Sequence, residues 1–151
     1  MSSLTEKQRI LIRNQLIRHE GLELKPYPDT KGKLTIAVGR NLTDKGLSNA
    51  EALYLLDNDI DEAMAGLQKE PYWDQLNDLR QRVLIDMVHN VGLGGFYKFR
   101  KMRGALMRQD YEGAAHEMRD SLWARDKDTA KRAERLARMM ESNTDMDDTW
   151  A

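Results

Sequence analysis

The sequence predicts an α+β chain that is predominantly helical, with a small β-hairpin lobe joined by a long helix to a helical lobe. Three observations predict it. Apolar residues recur at helical spacing along most of the length. One interruption, from Leu24 to Gly39, carries Pro26, Pro28, "DTKG" and the β-branched "LTIAV", and reads as a short hairpin or small sheet. A chain of 151 residues is long enough to bury a real core within one ordinary domain.

The elements follow in order. "SLTE" offers Ser3 and Glu6 as a capping box, and Ile10, Leu11 and Ile17 then recur at helical spacing with Arg9, Arg13 and Arg18 outside, so a first helix is expected to end near Glu20 and Gly21. The hairpin comes next. Ser48 and Glu51 form a second capping box ahead of "AEALYLLDNDIDEAMAGL", where Leu53, Leu56, Ile60, Met64 and Leu67 draw one apolar stripe along a helix of about residues 48–67 with an acidic wet face. After Pro71 the pattern is helical, with breaks at "GLGG" and around Gln109 and Asp110. "RQRVLIDMVHNVG" is apolar on most sides, at Val83, Leu84, Ile85, Met87, Val88 and Val91, which marks it as the buried centre of a bundle. Later helices are expected near residues 96–108, 111–123 and 129–141, and the acidic tail "ESNTDMDDTWA" is expected to fray. The domain reading is one catalytic domain over residues 1–151, with a small lobe at about 15–50 and a helical lobe at about 71–141 that also takes the first helix.

Composition narrows the function. A net charge of −1 hides segregation: residues 1–40 hold eight Lys/Arg against four Asp/Glu, residues 41–78 two against nine, and residues 79–140 fourteen against eight. Basic flanks suit an anionic polymer or surface, with attraction that weakens as salt rises. With no cysteine, a disulfide framework, a thiolate zinc site and a cysteine nucleophile are all excluded. No apolar run reaches membrane-spanning length, and the first twenty-one residues lack the uninterrupted apolar stretch of a signal peptide, so synthesis in the cytoplasm without a membrane anchor is expected. His19, His89 and His116 are scattered outside any metal-binding spacing, and no metal or cofactor is expected. The aromatic and basic mixture in "GGFYKFRKMRG" would suit nucleic-acid stacking, but at helical spacing Phe96 and Phe99 read as core with the bases on the wet side, so no nucleic-acid partner is expected.

The stretch "HEGLELKPYPDTKGKLTIAVGR" holds the candidate chemistry. Cleaving a glycosidic bond needs a proton for the departing oxygen and help for the charge that develops at the sugar carbon, and a pair of carboxyl groups supplies both. A carboxyl ending a helix among apolar neighbours keeps its proton near neutral pH, whereas one on a wet hairpin stays ionised. Glu20 suits the first site and Asp29 the second. Thr35, on the returning strand, could hold a water for Asp29 to activate. Taken singly, a Glu at a helix end, an Asp in a turn and a Thr in a strand are what ordinary structure selects. The combination carries the chemistry.

That combination, Glu, eight residues, Asp, five residues, Thr, resembles the active-site signature of the phage lysozyme family, the T4 lysozyme-like muramidases of glycoside hydrolase family 24. The likeness continues through "LLDNDIDEAMAGL", "LNDLRQRVLIDMVHNVG", "GALMRQDYEGAAHEMRDSLWARD" and "TAKRAERLARMM", and so covers about residues 8–141. It implies a lysozyme-like two-lobe fold and an endolysin that hydrolyses the β-1,4 bond between N-acetylmuramic acid and N-acetylglucosamine in peptidoglycan, lysing the host cell. Glu20 would be the general acid, Asp29 the carboxylate that activates or replaces the attacking water, and Thr35 the residue positioning that water. The resemblance also implies supporting roles for Asn90, Trp123 and Arg132, with Arg132 pairing with the catalytic glutamate. It implies action on peptidoglycan glycan strands and dependence on a holin that permeabilises the membrane, and a monomer is the default expectation. Two departures stand out: Arg40 replaces a histidine whose role in the family is a structural ion pair, and the stretch from Arg40 to Ser48 is shorter than in the type member.

Two other readings make distinct expectations. A lytic transglycosylase would end by cyclising the muramic sugar and would have no water for Asp29 and Thr35 to handle. A catalytically inactive wall- or nucleic-acid-binding module would keep the fold and use the basic helices. Inversion, the outcome the family implies, needs carboxyls roughly 6.5–9.5 Å apart, and retention roughly 5–5.5 Å.

Overall fold

The computed structural model describes residues 3–145. The expected fraying of the acidic tail falls mostly on residues 146–151, outside the described residues. The fold is α+β and predominantly helical, as the periodicity predicts. It contains the helices α1 (Glu6–Glu20), α2 (Asn49–Leu67), α3 (Asp78–Tyr97), α4 (Arg100–Met107), α5 (Tyr111–Arg119), α6 (Leu122–Arg125) and α7 (Ala130–Ser142) and the strands β1 (Glu23–Pro28), β2 (Leu34–Ala37) and β3 (Arg40–Asn41). Two compact units divide the chain between Tyr54 and Leu55, inside α2.

In the first unit, α1 begins two residues later than "SLTE" suggests. Thr5 and Gln8 form the capping box, with the Gln8 N–H donating to Thr5 Oγ1 at 3.1 Å and the Thr5 N–H to Gln8 Oε1 at 3.0 Å. Thr-x-x-Gln satisfies the same spacing as Ser-x-x-Glu, and starting there leaves Glu6 in the first turn, where the helix dipole favours an acid. The helix ends on Gly21, whose φ of +79° suits only glycine well and whose N–H closes on Ile17 O at 2.8 Å. The three strands pair antiparallel in the order β1-β2-β3, with Tyr27 opposite Thr35, and a bulge in β1 between Glu23 and Tyr27. Ser48 and Glu51 do form the reciprocal capping box, the Ser48 N–H meeting Glu51 Oε1 at 2.9 Å and the Glu51 N–H meeting Ser48 Oγ at 3.1 Å.

The second unit contains the apolar core. Val83, Leu84, Met87 and Val88 on α3 are buried, as expected of the central helix, and Ile85 and Val91 pack against the core from its edge. Phe96 is fully buried and Phe99 packs beside it, leaving Lys98, Arg100 and Lys101 exposed. The stripe expected on α2 is buried only at its C-terminal end: Leu67 is fully enclosed and Met64 packs on the core, whereas Leu53 and Leu56 are exposed. Gly66 makes the close approach to α3, since a Cβ there would meet Leu93 Cδ2 at 2.5 Å. The "GLGG" break is a kink at Gly92, with φ +78° and ψ 161°, inside α3. The last helix, Ala130–Ser142, runs as expected, but the two expected before it are shorter. Gln109, at φ +57°, ends the α4 segment, and Asp110 caps α5 through the Gly113 N–H at 2.9 Å, while Ser121 starts α6 afresh. Arg103 crosses to the buried Glu70 with bonds of 2.6 and 3.1 Å, and Arg119 joins Glu134 and Glu141, holding both carboxyls below their ordinary range.

Candidate active site

Asp29, Thr35 and Glu20 all belong to the first unit. The loop from Asp29 to Lys33 fixes the first two. The Gly32 N–H closes a turn on Asp29 O at 3.0 Å, with Gly32 at φ +78°, so the chain reverses in the few residues between β1 and β2. Inside that turn Asp29 Oδ1 accepts from the Lys31 N–H and the Lys33 N–H, both at 2.8 Å. Its other oxygen has no hydrogen-bond partner among the described residues. One carboxylate oxygen is thus anchored by backbone and the other is left to act.

Thr35 is the single buried residue among those described in this unit, 4% exposed. Its hydroxyl donates to Lys33 O at 3.0 Å. The same carbonyl accepts from the Asp29 N–H at 2.8 Å. Lys33 therefore ties the two residues together through its main chain, its N–H to the Asp29 carboxylate and its C=O to the Thr35 hydroxyl. A hydroxyl has one donor and two acceptor lone pairs, so Thr35 Oγ1 retains acceptor capacity only. A water donating one hydrogen to Thr35 and the other to the free oxygen of Asp29 would present its lone pair outward as a nucleophile.

Glu20 is the last residue of α1 and is exposed rather than packed among apolar side chains. Its carboxyl lies over Gly39 in the β2–β3 turn, where a Cβ would meet Glu20 Oε2 at 2.5 Å. Gly39 has φ +68° and Ala37, in the same turn, φ +60°. Just beyond, Arg40 ties the turn to the start of α2 by bonds of 2.8 Å from its two terminal nitrogens to the two Glu51 oxygens, and it also donates to Gly46 O at 3.3 Å. With the Arg40 guanidinium first and the Ser48 N–H and hydroxyl after it, the Glu51 carboxyl is held at about 2. The position where the family has an ion-pairing histidine thus makes an ion pair of its own.

Asn90, Trp123 and Arg132 belong to the second unit. The Trp123 indole N–H donates to Asn90 Oδ1 at 2.7 Å, and the ring meets Phe99 edge-on at 6.0 Å. Thr129 Oγ1 holds the Trp123 carbonyl at 2.6 Å, fixing the short α6. Arg132 is bound by Asp86, through Nε to Oδ1 at 2.7 Å and through a terminal nitrogen to the Asp86 carbonyl at 3.2 Å. Asp86 and Asn90 are one helical turn apart on α3, so Arg132 and Trp123 anchor to neighbouring turns of one face.

Sequence reasoning missed Lys33, Gly39 and Asp86. Only the Asp86–Asn90 spacing, two polar residues one turn apart within the mostly apolar stretch from Val83 to Val91, gave a signal that could have been read. Among the described residues no three His, Asp or Glu side chains gather as a metal cluster, and no helix is long and apolar enough to cross a membrane.

Most glycoside hydrolases work with a pair of carboxyl groups, and the first unit carries Glu20 at a helix end and Asp29 beside a small sheet. Comparison with known proteins gives the family. The pattern of the phage lysozyme family matches residues 17–139, and the chain belongs to that family of lysozyme-type glycosidases. It is 31% identical over 137 residues to the pre-baseplate central spike protein Gp5 of Enterobacteria phage T4, covering 72% of this chain and 24% of that one. It is 24% identical over 164 residues to a probable T4-type lysozyme 2 of Dictyostelium discoideum, covering 88% and 95%, and 30% identical over 111 residues to the SAR-endolysin of Escherichia phage Mu, covering 72% and 64%. The chain therefore spans about a quarter of the spike protein's length and somewhat under two thirds of the Mu endolysin's.

Proposed function

We propose that this chain is a muramidase that hydrolyses the β-1,4 bond between N-acetylmuramic acid and N-acetylglucosamine in peptidoglycan. Glu20 protonates the departing oxygen. Asp29 takes a proton from the attacking water through its free oxygen, and Thr35 orients that water through its remaining lone pairs. The observation that carries this reading is the Lys33 main chain, which holds Asp29 and Thr35 in one fixed relation with acceptor atoms left over. A transglycosylase has no use for such a pair, because its nucleophile is a hydroxyl of the sugar itself.

Asn90 and Trp123 keep a supporting role towards the glycan, whereas Arg132, which the resemblance pairs with the catalytic glutamate, is held by Asp86 instead. The chemistry needs no cofactor. The reading extends to biology: the enzyme is an endolysin made in the host cytoplasm as a monomer, and it reaches the wall once a holin permeabilises the membrane. Whole cells should then resist added protein unless a permeabilising agent is present.

Mass spectrometry of the sugars released from purified peptidoglycan tests the chemistry. Products ending in reducing muramic acid are expected. Products lighter by one water, the anhydro form, would overturn the role of Asp29 and Thr35, and binding to the wall without release would leave a module and no enzyme.

A further inference from the structure

The Lys33 main chain that ties Asp29 to Thr35 belongs to a peptide unit that is itself gripped at its other end. The carbonyl of Lys33 and the N–H of Leu34 are two ends of one planar group and cannot turn independently. At one end the Lys33 carbonyl accepts from the Asp29 N–H at 2.8 Å and from the Thr35 hydroxyl at 3.0 Å. At the other end the Leu34 N–H donates to Thr43 Oγ1 at 2.8 Å. β3 ends at Asn41, so beyond it a side-chain oxygen stands in for a strand carbonyl. The Leu34 carbonyl meets the same segment, accepting from the Leu42 N–H at 2.7 Å.

Thr43 is held in turn. Asn41 and Asp44 close around it, with the Asp44 N–H on Asn41 Oδ1 at 2.9 Å and Asn41 Nδ2 on Asp44 Oδ2 at 3.0 Å. Asp44 also reaches Lys33 Nζ at 3.3 Å, but both side chains are half exposed, and a pair of that kind contributes little. The Thr43 bond differs because it acts on the direction of the peptide plane. Thr35 Oγ1 has its single hydrogen committed to Lys33 O, so the direction of that carbonyl decides where the lone pairs of the hydroxyl point. When the plane tilts, the carbonyl swings, the hydroxyl hydrogen follows and the lone pairs turn away from the water. A bond at the N–H end also polarises the carbonyl at the other end, which strengthens its hold on the hydroxyl.

We infer that Thr43 is a positioning residue for the water-handling pair: its side-chain oxygen sets the tilt of the Lys33–Leu34 peptide and so the direction in which Thr35 presents its lone pairs. This rests on the reading of Asp29 and Thr35 as handlers of the attacking water. Thr43 acts through Lys33 and Thr35 rather than on the substrate. Because Thr43 is exposed, water can satisfy the Leu34 N–H once the hydroxyl is gone, so its removal loosens the plane without unfolding the sheet.

The test is steady-state hydrolysis of soluble peptidoglycan fragments by the full chain carrying Thr43→Val, which keeps the shape and removes the hydroxyl, or Thr43→Ser, which keeps the hydroxyl. Thr43→Val should lower kcat about tenfold with KM unchanged, part of the roughly 10²-fold that a misplacement of about 1 Å costs. Thr43→Ser should stay near the wild type, and both variants should keep its melting temperature. In a Thr35→Val background no hydroxyl remains to be aimed, and Thr43→Val should cost nothing further. Amide exchange at Leu34 should quicken in Thr43→Val and hold its rate in Thr43→Ser. An unchanged kcat in Thr43→Val, a loss shared by Thr43→Ser, the same loss repeated in the Thr35→Val background, a rise in KM alone or unchanged exchange at Leu34 would each overturn the inference. Wild-type activity in Thr35→Val itself would instead overturn the water-handling reading, while exchange at Leu34 still reports whether Thr43 holds the plane.

Discussion

The two units are held together by different physics. From residue 63 to residue 140 the second unit buries an apolar core of twenty-two side chains, whereas in the first unit the one buried residue among those described is Thr35. The first unit relies on short polar bonds: a capping box at each helix start, the Asp29–Lys33 turn and the Arg40–Glu51 pair. Burial is proportional to area and tolerant of direction, while hydrogen bonds fix angles. A site that must place a water against a carboxylate gains from the second kind of restraint, and a domain that must stay folded gains from the first. Mutations should therefore sort by unit, into losses of activity and losses of stability.

The largest expected effect tests the activity side. Glu20→Gln removes the proposed proton donor and should cost about 10²–10⁴ in wall hydrolysis, with the melting temperature nearly unchanged because the side chain is exposed. Retained lysis would move the acid elsewhere. On the stability side, Phe96→Ala empties a fully buried site and should cost about 3–5 kcal/mol by denaturant unfolding. A loss as small as a surface substitution gives would mean that the core is not where the second unit's stability resides.

Gly39→Ala comes next, because it should move activity and stability together. The new Cβ would strike Glu20 Oε2, and displacing the proposed acid by about 1 Å can cost roughly 10²-fold in rate. The left-handed backbone adds about 1–2 kcal/mol of strain. Steady-state rates and a melting curve on the same variant separate the two.

The Arg40–Glu51 pair makes a pH prediction of smaller size. Glu51 is held at about 2 against an ordinary 4.5, so its stabilising effect is fully present above pH 4.5 and is lost as pH falls towards 2. Arg40→Ala removes the largest cause of that shift. With the intrinsic exchange rates divided out, amide protection at residues 46–52 should fall in acid for the wild type and depend less on pH in the variant. An unchanged acid response would assign the effect to Ser48 alone.

What the sequence made legible was local. The Ser48–Glu51 box is visible because both partners lie within one turn, and the buried face of α3 because its residues repeat at 3.6. Glu20, Asp29 and Thr35 could be named from their spacing, but the Lys33 clamp could not, since main-chain donors carry no residue signature. Gly39 acts by having no side chain, and Asp86 binds a partner 46 residues away. The stripe on α2 failed at Leu53 and Leu56 for a related reason: periodicity marks which residues share a face but not whether that face is covered.

The smallest effect sharpens the comparison most. Ala37 and Gly39 share one turn and one backbone region, at φ +60° and +68°. Ala37→Gly relieves strain of about 1–2 kcal/mol but frees the unfolded chain by about 0.4–1 kcal/mol, so a gain within about 1 kcal/mol is expected in a melting curve. Its activity should match the wild type. Gly39→Ala places a Cβ in the same backbone conformation, so any excess loss of activity over what Ala37 already tolerates measures the contact with Glu20 and not the turn. If Gly39→Ala proved no less active than Ala37→Gly, the carboxyl would have room to move aside, and the seat assigned to Gly39 would be a matter of packing without catalytic consequence.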